Sequence, residues 1–257
     1  MKIFLSALEN QHIPKPNSPL APYLVQQGIH MRWNLCSYYY GRNNLPVCEY
    51  IRDNSDEMLV DSGAHSFQKG ARVDWKAYTH QYAAFIRAFD TPNVIGYFEM
   101  DVDNVLGYPR VQTLRDILLT ESGHPSKIIP VWHRGRGIKD FQTMCQERTG
   151  CIAAITGFKN EDIIDEQYPM FLKYAHAQGT KLHCLGMTRK DILERVPFDY
   201  TDSSSWVQHS LYGRIESNHV SRATSRVHRH DVLTMNYELG QEMQRHFYNK
   251  WQTISKD

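Results

Sequence analysis

The chain has 257 residues, a net charge of +1 and 41% hydrophobic residues, which is typical of a globular domain. This length fits one large domain or two small ones. The small net charge excludes a globally basic nucleic-acid-binding protein, although it leaves room for a local basic surface.

The first apolar segment is too short for a secretory signal or a membrane span, because Glu9 interrupts it. We therefore expect a cytoplasmic protein with no membrane contact. The cysteines predict buried thiols in a reducing compartment rather than a disulfide framework or a zinc site. They are odd in number and never spaced as Cys-x-x-Cys: Cys36, Cys48, Cys145, Cys151 and Cys184.

Eight short runs rich in β-branched and aromatic residues predict strands. They are Lys2–Leu5, a run within Trp33–Tyr40, Met58–Val60, Val94–Phe98, Lys127–Trp132, Cys151–Ile155, Lys181–Leu185 and Phe198–Asp202. Helical periodicity between several runs predicts helices. They cover Trp75–Phe89, Tyr108–Glu121, Ile138–Arg148, Tyr168–Gln178 and Asp191–Val196.

Strands that alternate with helices indicate an α/β protein with a parallel sheet, and eight strands close a (β/α)8 TIM-type barrel. The alternative is a doubly wound open sheet, but no glycine-rich phosphate turn follows the first run. We assign residues 1–206 to the barrel and residues 207–257 to a helical, locally basic extension that packs on it within a single domain. A long final helix is predicted over about Val232–Trp251.

Polar residues directly after the runs are expected to meet at one mouth, where barrels keep their active sites. They are Asp61 and Ser62, Asp101 and Asp103, His133, Gly157, Gly186 and Asp202. Two carboxylates that face one anomeric carbon support displacement at a sugar, because one attacks while another group moves a proton. The alternative is that these aspartates cap the helices that follow them.

Two segments resemble the tRNA-guanine transglycosylases, or queuine tRNA-ribosyltransferases. Residues 61–67, Asp-Ser-Gly-Ala-His-Ser-Phe, resemble the family's Asp-Ser-Gly-Gly-Phe/Tyr-Gln motif. Residues 185–188, followed by Asp191–Leu193 and Asp199–Asp202, resemble its Met-Gly-Val-Gly, Asp-Leu and Asp-Met-Phe-Asp segments in the same order. The resemblance covers the chain from the third run to the eighth.

This resemblance implies a barrel that replaces guanine in a polynucleotide with a 7-deazaguanine through a covalent glycosyl-aspartate. By position it implies that Asp202 is the nucleophile and that Asp61 is the acid/base at the ring nitrogen of the base. Asp101 or Asp103 would pair with the guanine edge, and we prefer Asp101. Further residues would lie against the base, namely Ser62, Gly63, Gly157, Phe158, Gly186 and Met187.

The chain departs from the family in three respects. Its fifth run continues as Val131–Gly135, Val-Trp-His-Arg-Gly, where the family has Val-Gln-Gly-Gly, so Trp132 or His133 would read the base. No cysteine follows Cys184, so the family's zinc site has no counterpart, and we expect no metal and no cofactor. The chain is also shorter than typical bacterial members.

Because it is short and lacks the zinc site, the chain is most similar to the DpdA-type branch of phages and bacterial genomic islands. That branch inserts preQ0 or a derivative into DNA. The resemblance therefore implies DNA as the preferred partner, with tRNA as the second candidate, and a free 7-deazaguanine base as the other substrate. It also implies a homodimer, and the host cytoplasm if a phage encodes the chain.

Phosphate contacts are expected from arginines at and beyond the mouth, because extracting a base from its stack costs a few kcal/mol that such contacts offset. The candidates are Arg134, Arg136, Arg214, Arg222, Arg226 and Arg229. Two further functions remain open on the residues alone. One is a base or nucleoside N-glycosidase that uses Asp202 and Asp61 with water, and the other is a nucleic-acid-binding subunit without catalysis.

Overall fold

The computed structural model describes residues 1–13, 18–67, 73–157, 162–211, 214–215, 218–219 and 229–254. One parallel sheet contains β1 Lys2–Ser6, β2 Met31–Ser37, β3 Ser55–Asp61, β4 Val94–Phe98, β5 Ile128–Ile129, β6 Val131–Trp132, β7 Ile152–Thr156, β8 Lys181–Leu185 and β9 Tyr200–Ser203. A separate antiparallel pair consists of β10 Arg214–Ile215 and β11 Asn218–His219.

Helices connect most of these strands. They are α1 Leu20–Gln26, α2 Tyr38–Gly41, α3 Leu45–Asp53, α4 Trp75–Phe89, α5 Asp103–Leu106, α6 Tyr108–Glu121, α7 Ile138–Glu147, α8 Tyr168–Ala177, α9 Lys190–Leu193, α10 Ser205–Leu211 and α11 Arg229–Ile254. The four long helices predicted between residues 75 and 178 are confirmed to within one residue at each end. The second predicted strand run extends to Tyr40, whereas β2 ends at Ser37 and the tyrosines that follow form α2.

The nine strand segments form a nearly closed, barrel-like sheet in the order β5-β4-β3-β2-β1-β9-β8-β7-β6. Its two ends, β5 and β6, are separated in the chain by Pro130 alone. Proline has no N–H and interrupts a strand ladder, so the single fifth run of the sequence becomes two segments. The carbonyl oxygen of Pro130 still accepts a hydrogen bond of 2.9 Å from the N–H of Ala154 on β7. The architecture is thus TIM-like, with nine strand segments where eight strands were predicted.

Apolar side chains fill both the interior of the sheet and the layer beneath the helices. Alternate residues of a strand face opposite sides, so Leu59 on β3 lies in the inner cluster while Met58 and Val60 lie in the outer one. The inner cluster also contains Phe4, Trp33, Leu35, Phe98, Ile129 and Val131. Because the interior is packed, chemistry is expected at the carboxyl ends of the strands.

Helix α11 packs across β1 and β2. The Nε2 group of Gln244 donates to the carbonyl oxygens of Ile3 at 2.8 Å and of Trp33 at 2.9 Å. Gly240 lets the helix approach closely, since a Cβ atom at that position would lie 2.9 Å from Cδ2 of Leu5. None of the helices in the described ranges is sufficiently long and apolar to cross a membrane.

Candidate active site

A cavity of about 1070 Å³ opens at the carboxyl ends of the strands. Residues at or just after the ends of all the strand segments except β5 line this cavity, as the parallel arrangement requires. Seven residues singled out from the sequence line it: Asp61, Asp101, Asp103, His133, Arg136, Gly186 and Asp202. The cavity is therefore rich in carboxylates, as the positions of the predicted strand ends imply.

The two carboxylate oxygens of Asp202 have unequal surroundings. Oδ1 accepts a hydrogen bond of 2.9 Å from the N–H of Gly186 and lies 3.0 Å from Nε2 of His183. Among the described residues, Oδ2 has only a long contact of 3.4 Å with Oγ of Ser6. One oxygen therefore fixes the side chain while the other is available for reaction.

His183 orients Asp202 from inside the barrel. Its side chain is fully buried and its ring meets that of Phe98 edge-on at 4.9 Å. Among the described residues, Nδ1 of His183 has no hydrogen-bond partner. The bond to Asp202 is therefore the polar interaction that sets the orientation of this ring.

Asp61, the last residue of β3, has the environment of an acid/base. Its Oδ2 accepts a hydrogen bond of 2.9 Å from the N–H of Gly63. Burial raises the pKa of Asp61 to about 6; the bond from Gly63 opposes this shift, and the charges of Asp101 and Asp202 add to it. A carboxyl that titrates close to neutral pH can both give and take a proton during turnover.

Asp103 is committed to an ion pair. Both of its oxygens accept from Arg136, with Nε–Oδ1 at 2.7 Å and Nη2–Oδ2 at 2.6 Å. The Arg136 side chain is only 2% exposed, and it also lies 3.6 Å from buried Glu99 and over the ring of Tyr108. Arg136 therefore stabilises the cavity wall instead of offering a solvent-exposed contact for phosphate.

His133 lies between two carboxylates. Its Nε2 is 2.7 Å from Oδ1 of Asp101, and its Nδ1 is 2.8 Å from Oδ2 of Asp162. Burial lowers the pKa of His133, but the bonds to Asp101 and Asp162 outweigh it and raise the pKa to about 10. Burial raises the pKa of Asp162, whereas bonds from His133, Thr156 and the N–H of Arg134 lower it to about 2. His133 is thus an imidazolium at neutral pH.

The ligand atoms of Asp101, Asp103 and His133 lie within 4.8 Å of one another, close enough for a metal ion to be considered. The donor set does not fit one. A histidine ligand must be neutral, but both nitrogens of His133 are hydrogen-bonded to carboxylates. The carboxylate of Asp103 is already paired with Arg136. We assign no metal to this cluster.

Two predicted base-contacting residues point away from the cavity. The hydroxyl group of Ser62 is buried and donates to the carbonyl oxygen of Glu99 at 2.8 Å. Trp132 packs under the helices against Phe141 and Phe171, because strand alternation turns it away from the side that His133 faces. Neither lines the cavity.

Gly63, Gly157 and Met187 also lie behind the cavity wall. A Cβ atom on Gly157 would be 2.8 Å from Sγ of Cys184, so this glycine permits packing inside the protein. Met187 is fully buried in the outer core. Gly63 has φ +74° and holds Asp61 through its N–H, so it orients that side chain without lining the cavity.

The structure places few of the predicted phosphate-binding arginines. Arg134 is exposed beside the mouth. Arg214 and Arg229 begin β10 and α11, but their side chains lie outside the described part of the chain. Arg222 and Arg226, together with Phe158, lie outside the described residues altogether.

Glu9 lines the cavity although sequence reasoning gave it no role there. It is 1% exposed, and its Oε1 accepts a hydrogen bond of 3.0 Å from the N–H of Ser37. Its Oε2 is buried with no hydrogen-bond partner among the described residues. Burial raises the pKa of Glu9 to about 7.

The wild-type protein is expected to lose stability as pH rises from 5 to 8, and Glu9→Gln is expected to abolish this loss. The folded protein holds the Glu9 proton up to about pH 7 and the unfolded chain releases it near pH 4.5, so wild-type stability falls as pH rises through this interval. Between pH 5 and pH 8 the free energy of unfolding of the wild type is expected to fall by on the order of 2 kcal/mol more than that of Glu9→Gln. Urea titrations of both proteins at pH 5 and pH 8 measure it.

Glu147→Gln, which changes an exposed carboxyl on α7, is the matched control and should leave the pH dependence of stability as in the wild type. Parallel pH dependence in the wild type and Glu9→Gln would contradict the assignment of a raised pKa to Glu9.

Three other contributors to the site were absent from the sequence interpretation. Asp162 follows the end of β7 by six residues, too far from the strand for its position in the sequence to mark it as a strand-end residue. His183 lies inside a predicted strand, where its inward direction depends on register. Ser6 ends β1 beside Asp202, since these two strands pair in the closed sheet. Strand alternation in the sequence could have marked His183 as facing the interior.

The chain matches no model of a known protein family and no curated protein sequence.

Proposed function

We propose that this protein is a transglycosylase that exchanges guanine in DNA for a 7-deazaguanine, preQ0 or a derivative, through a covalent glycosyl-aspartate. The observation that carries the proposal is the pair of dissimilar carboxyls in one cavity. Asp202 has one oxygen fixed by Gly186 and His183 and the other open. Asp61 has a pKa raised to about 6, which suits proton transfer.

In the first half-reaction Oδ2 of Asp202 attacks C1′ of the target nucleotide. The bond between C1′ and N9 of guanine breaks, its electrons stay on guanine, and guanine takes up a proton from the carboxyl of Asp61 as it leaves. In the second half-reaction Asp61 removes the proton from N9 of the incoming base. That nitrogen then displaces Asp202 from C1′, which regenerates the free carboxylate.

The second candidate is an N-glycosidase, because the same two carboxyls could direct water at the glycosyl-aspartate. Incubation with polynucleotide in the absence of a free base distinguishes the two. Abasic sites would support hydrolysis, whereas unchanged polymer would count against it.

Label from radioactive guanine or preQ0 is expected to enter duplex or single-stranded DNA on incubation with the purified protein. Unmodified tRNA is tested in parallel, and label is counted in the recovered polymer. Label in tRNA alone would keep the chemistry and overturn DNA as the substrate. Absence of label from every polymer would contradict transglycosylation and favour a binding subunit.

A further inference from the structure

We propose that His133 and Asp162 are positioning residues that present Asp101 to the donor edge of the bound base. This inference rests on the proposed function for its substrate, and on the geometry of the three residues for its mechanism. The segment Val131–Gly135 lacks the amide that reads the base in the family that the chain resembles, so any contribution of His133 must be made in a different way.

His133 cannot itself accept a hydrogen bond from a base. Both of its nitrogens already face carboxylates, at 2.7 Å for Asp101 and 2.8 Å for Asp162. An imidazolium is a donor only, and its two donors are used. Its effect on a ligand is therefore exerted through the carboxylate that it holds.

Asp162 fixes the ring from the other side. Its Oδ2 accepts a hydrogen bond of 2.7 Å from Oγ1 of Thr156, and its Oδ1 accepts one of 3.0 Å from the N–H of Arg134. Asp162 is thus held by the end of β7 and by the turn after β6. This support makes the Asp162–His133 pair a rigid platform for Asp101.

Asp101 is the carboxylate with an open oxygen in this part of the cavity. Oδ1 is bonded to His133, and no hydrogen-bond donor among the described residues contacts Oδ2. Asp103, the other candidate, has both oxygens bonded to Arg136. Of these two aspartates, Asp101 therefore has the oxygen at which no donor competes with the base.

The chemical class that suits such an acceptor is a base with adjacent N–H donors, which guanine and 7-deazaguanines present at N1 and the 2-amino group. One imidazolium is shared by two carboxylates, so the trio keeps one net negative charge. Charge-assisted hydrogen bonds to donors of the base are stronger than neutral ones. The pair therefore favours guanine-type bases over bases that lack these donors.

His133→Leu and Asp162→Asn are expected to weaken binding of free preQ0 by about 10- to 100-fold, measured by calorimetric titration of the full chain. His133→Gln, whose amide can still donate to Asp101, should recover part of the affinity. The preQ0 analogue that lacks the 2-amino group should bind weakly to the wild type, and its affinity should change much less than that of preQ0 in the variants. A purely structural role would affect both ligands equally.

His80→Gln and Glu121→Gln are matched controls, because His80 and Glu121 form a histidine–carboxylate pair on the surface at 2.8 Å. Both controls should bind preQ0 as the wild type does. Wild-type affinity in His133→Leu and Asp162→Asn would overturn the inference. An equal loss for both ligands would overturn it as well.

The experiment separates this inference from the proposed function. Base binding that depends on His133, without label entering any polymer, would support the positioning pair and reject transglycosylation. Base exchange that is unchanged in Asp162→Asn and His133→Leu would support transglycosylation and reject the positioning pair. A wild-type protein that binds no base would reject both. Thermal unfolding of each variant identifies a change that acts through folding, and His133→Gln provides the test if His133→Leu does not fold.

Discussion

Asp202→Asn is expected to form no covalent adduct with polynucleotide and to lose at least about 10³-fold in base-exchange rate, as for removal of an enzyme nucleophile. Asparagine keeps the shape of the side chain and an oxygen that can accept from the N–H of Gly186. It lacks the anionic oxygen that must bond to C1′. A denaturing gel with labelled polymer measures the adduct, and label incorporation measures the rate.

Asp199→Asn is the matched control for Asp202→Asn. Oδ2 of Asp199 is 2.8 Å from Nε2 of His176 and accepts a 2.8 Å bond from the N–H of Leu182. Asp199 therefore resembles Asp202 in its bonds to a histidine and a backbone N–H, but it does not line the cavity. This variant should still form the adduct. An adduct in Asp202→Asn that survives denaturation would show that another residue is the nucleophile.

The rate of incorporation of the incoming base is expected to fall about tenfold per pH unit below pH 6, because Asp61 must be unprotonated to accept the proton from N9. The midpoint follows from the pKa of Asp61, which burial raises to about 6. Asp61→Asn should remove this dependence and lower the rate by about 10²- to 10⁴-fold. Incorporation measured from pH 5 to pH 8 at saturating DNA tests both statements.

Asp116→Asn, on the exposed face of α6, should keep the wild-type rate and pH profile. If the incorporation rate of Asp61→Asn fell below pH 6 as the wild-type rate does, the titrating group would be a residue other than Asp61. Glu9 is the first alternative, since burial raises its pKa to about 7 and it lines the same cavity. Glu9→Gln measured in the same assay would then decide between them.

The different roles that we propose for Asp202 and Asp61 follow from their surroundings. Asp202 is held on one oxygen by two donors, which fixes the direction from which it can attack. Asp61 is half-buried near two other carboxylates, and both its burial and their charges favour its protonated form. Two aspartates in one cavity can therefore perform nucleophilic attack and proton transfer.

Much of the barrel-like sheet could be predicted from the sequence. Runs such as Val94–Phe98 and Lys181–Leu185 are short, apolar and bounded by turn residues, and they coincide with β4 and β8. Alternation of these runs with amphipathic helices implies parallel pairing, and the sheet order bears this out. The division of the fifth run at Pro130 was also visible in principle, because proline cannot donate to a strand ladder.

The sequence by itself determined that Asp61, Asp101 and Asp202 would meet, because residues at the ends of parallel strands share one edge whatever their separation along the chain. Only the tertiary structure decided which partners each of them has. Arg136 forms an ion pair with Asp103, His133 is hydrogen-bonded to one oxygen of Asp101, and His183 is hydrogen-bonded to Asp202. The partners in these pairs lie 19 to 33 residues apart. Local periodicity cannot specify such contacts, because they depend on the register and closure of the sheet.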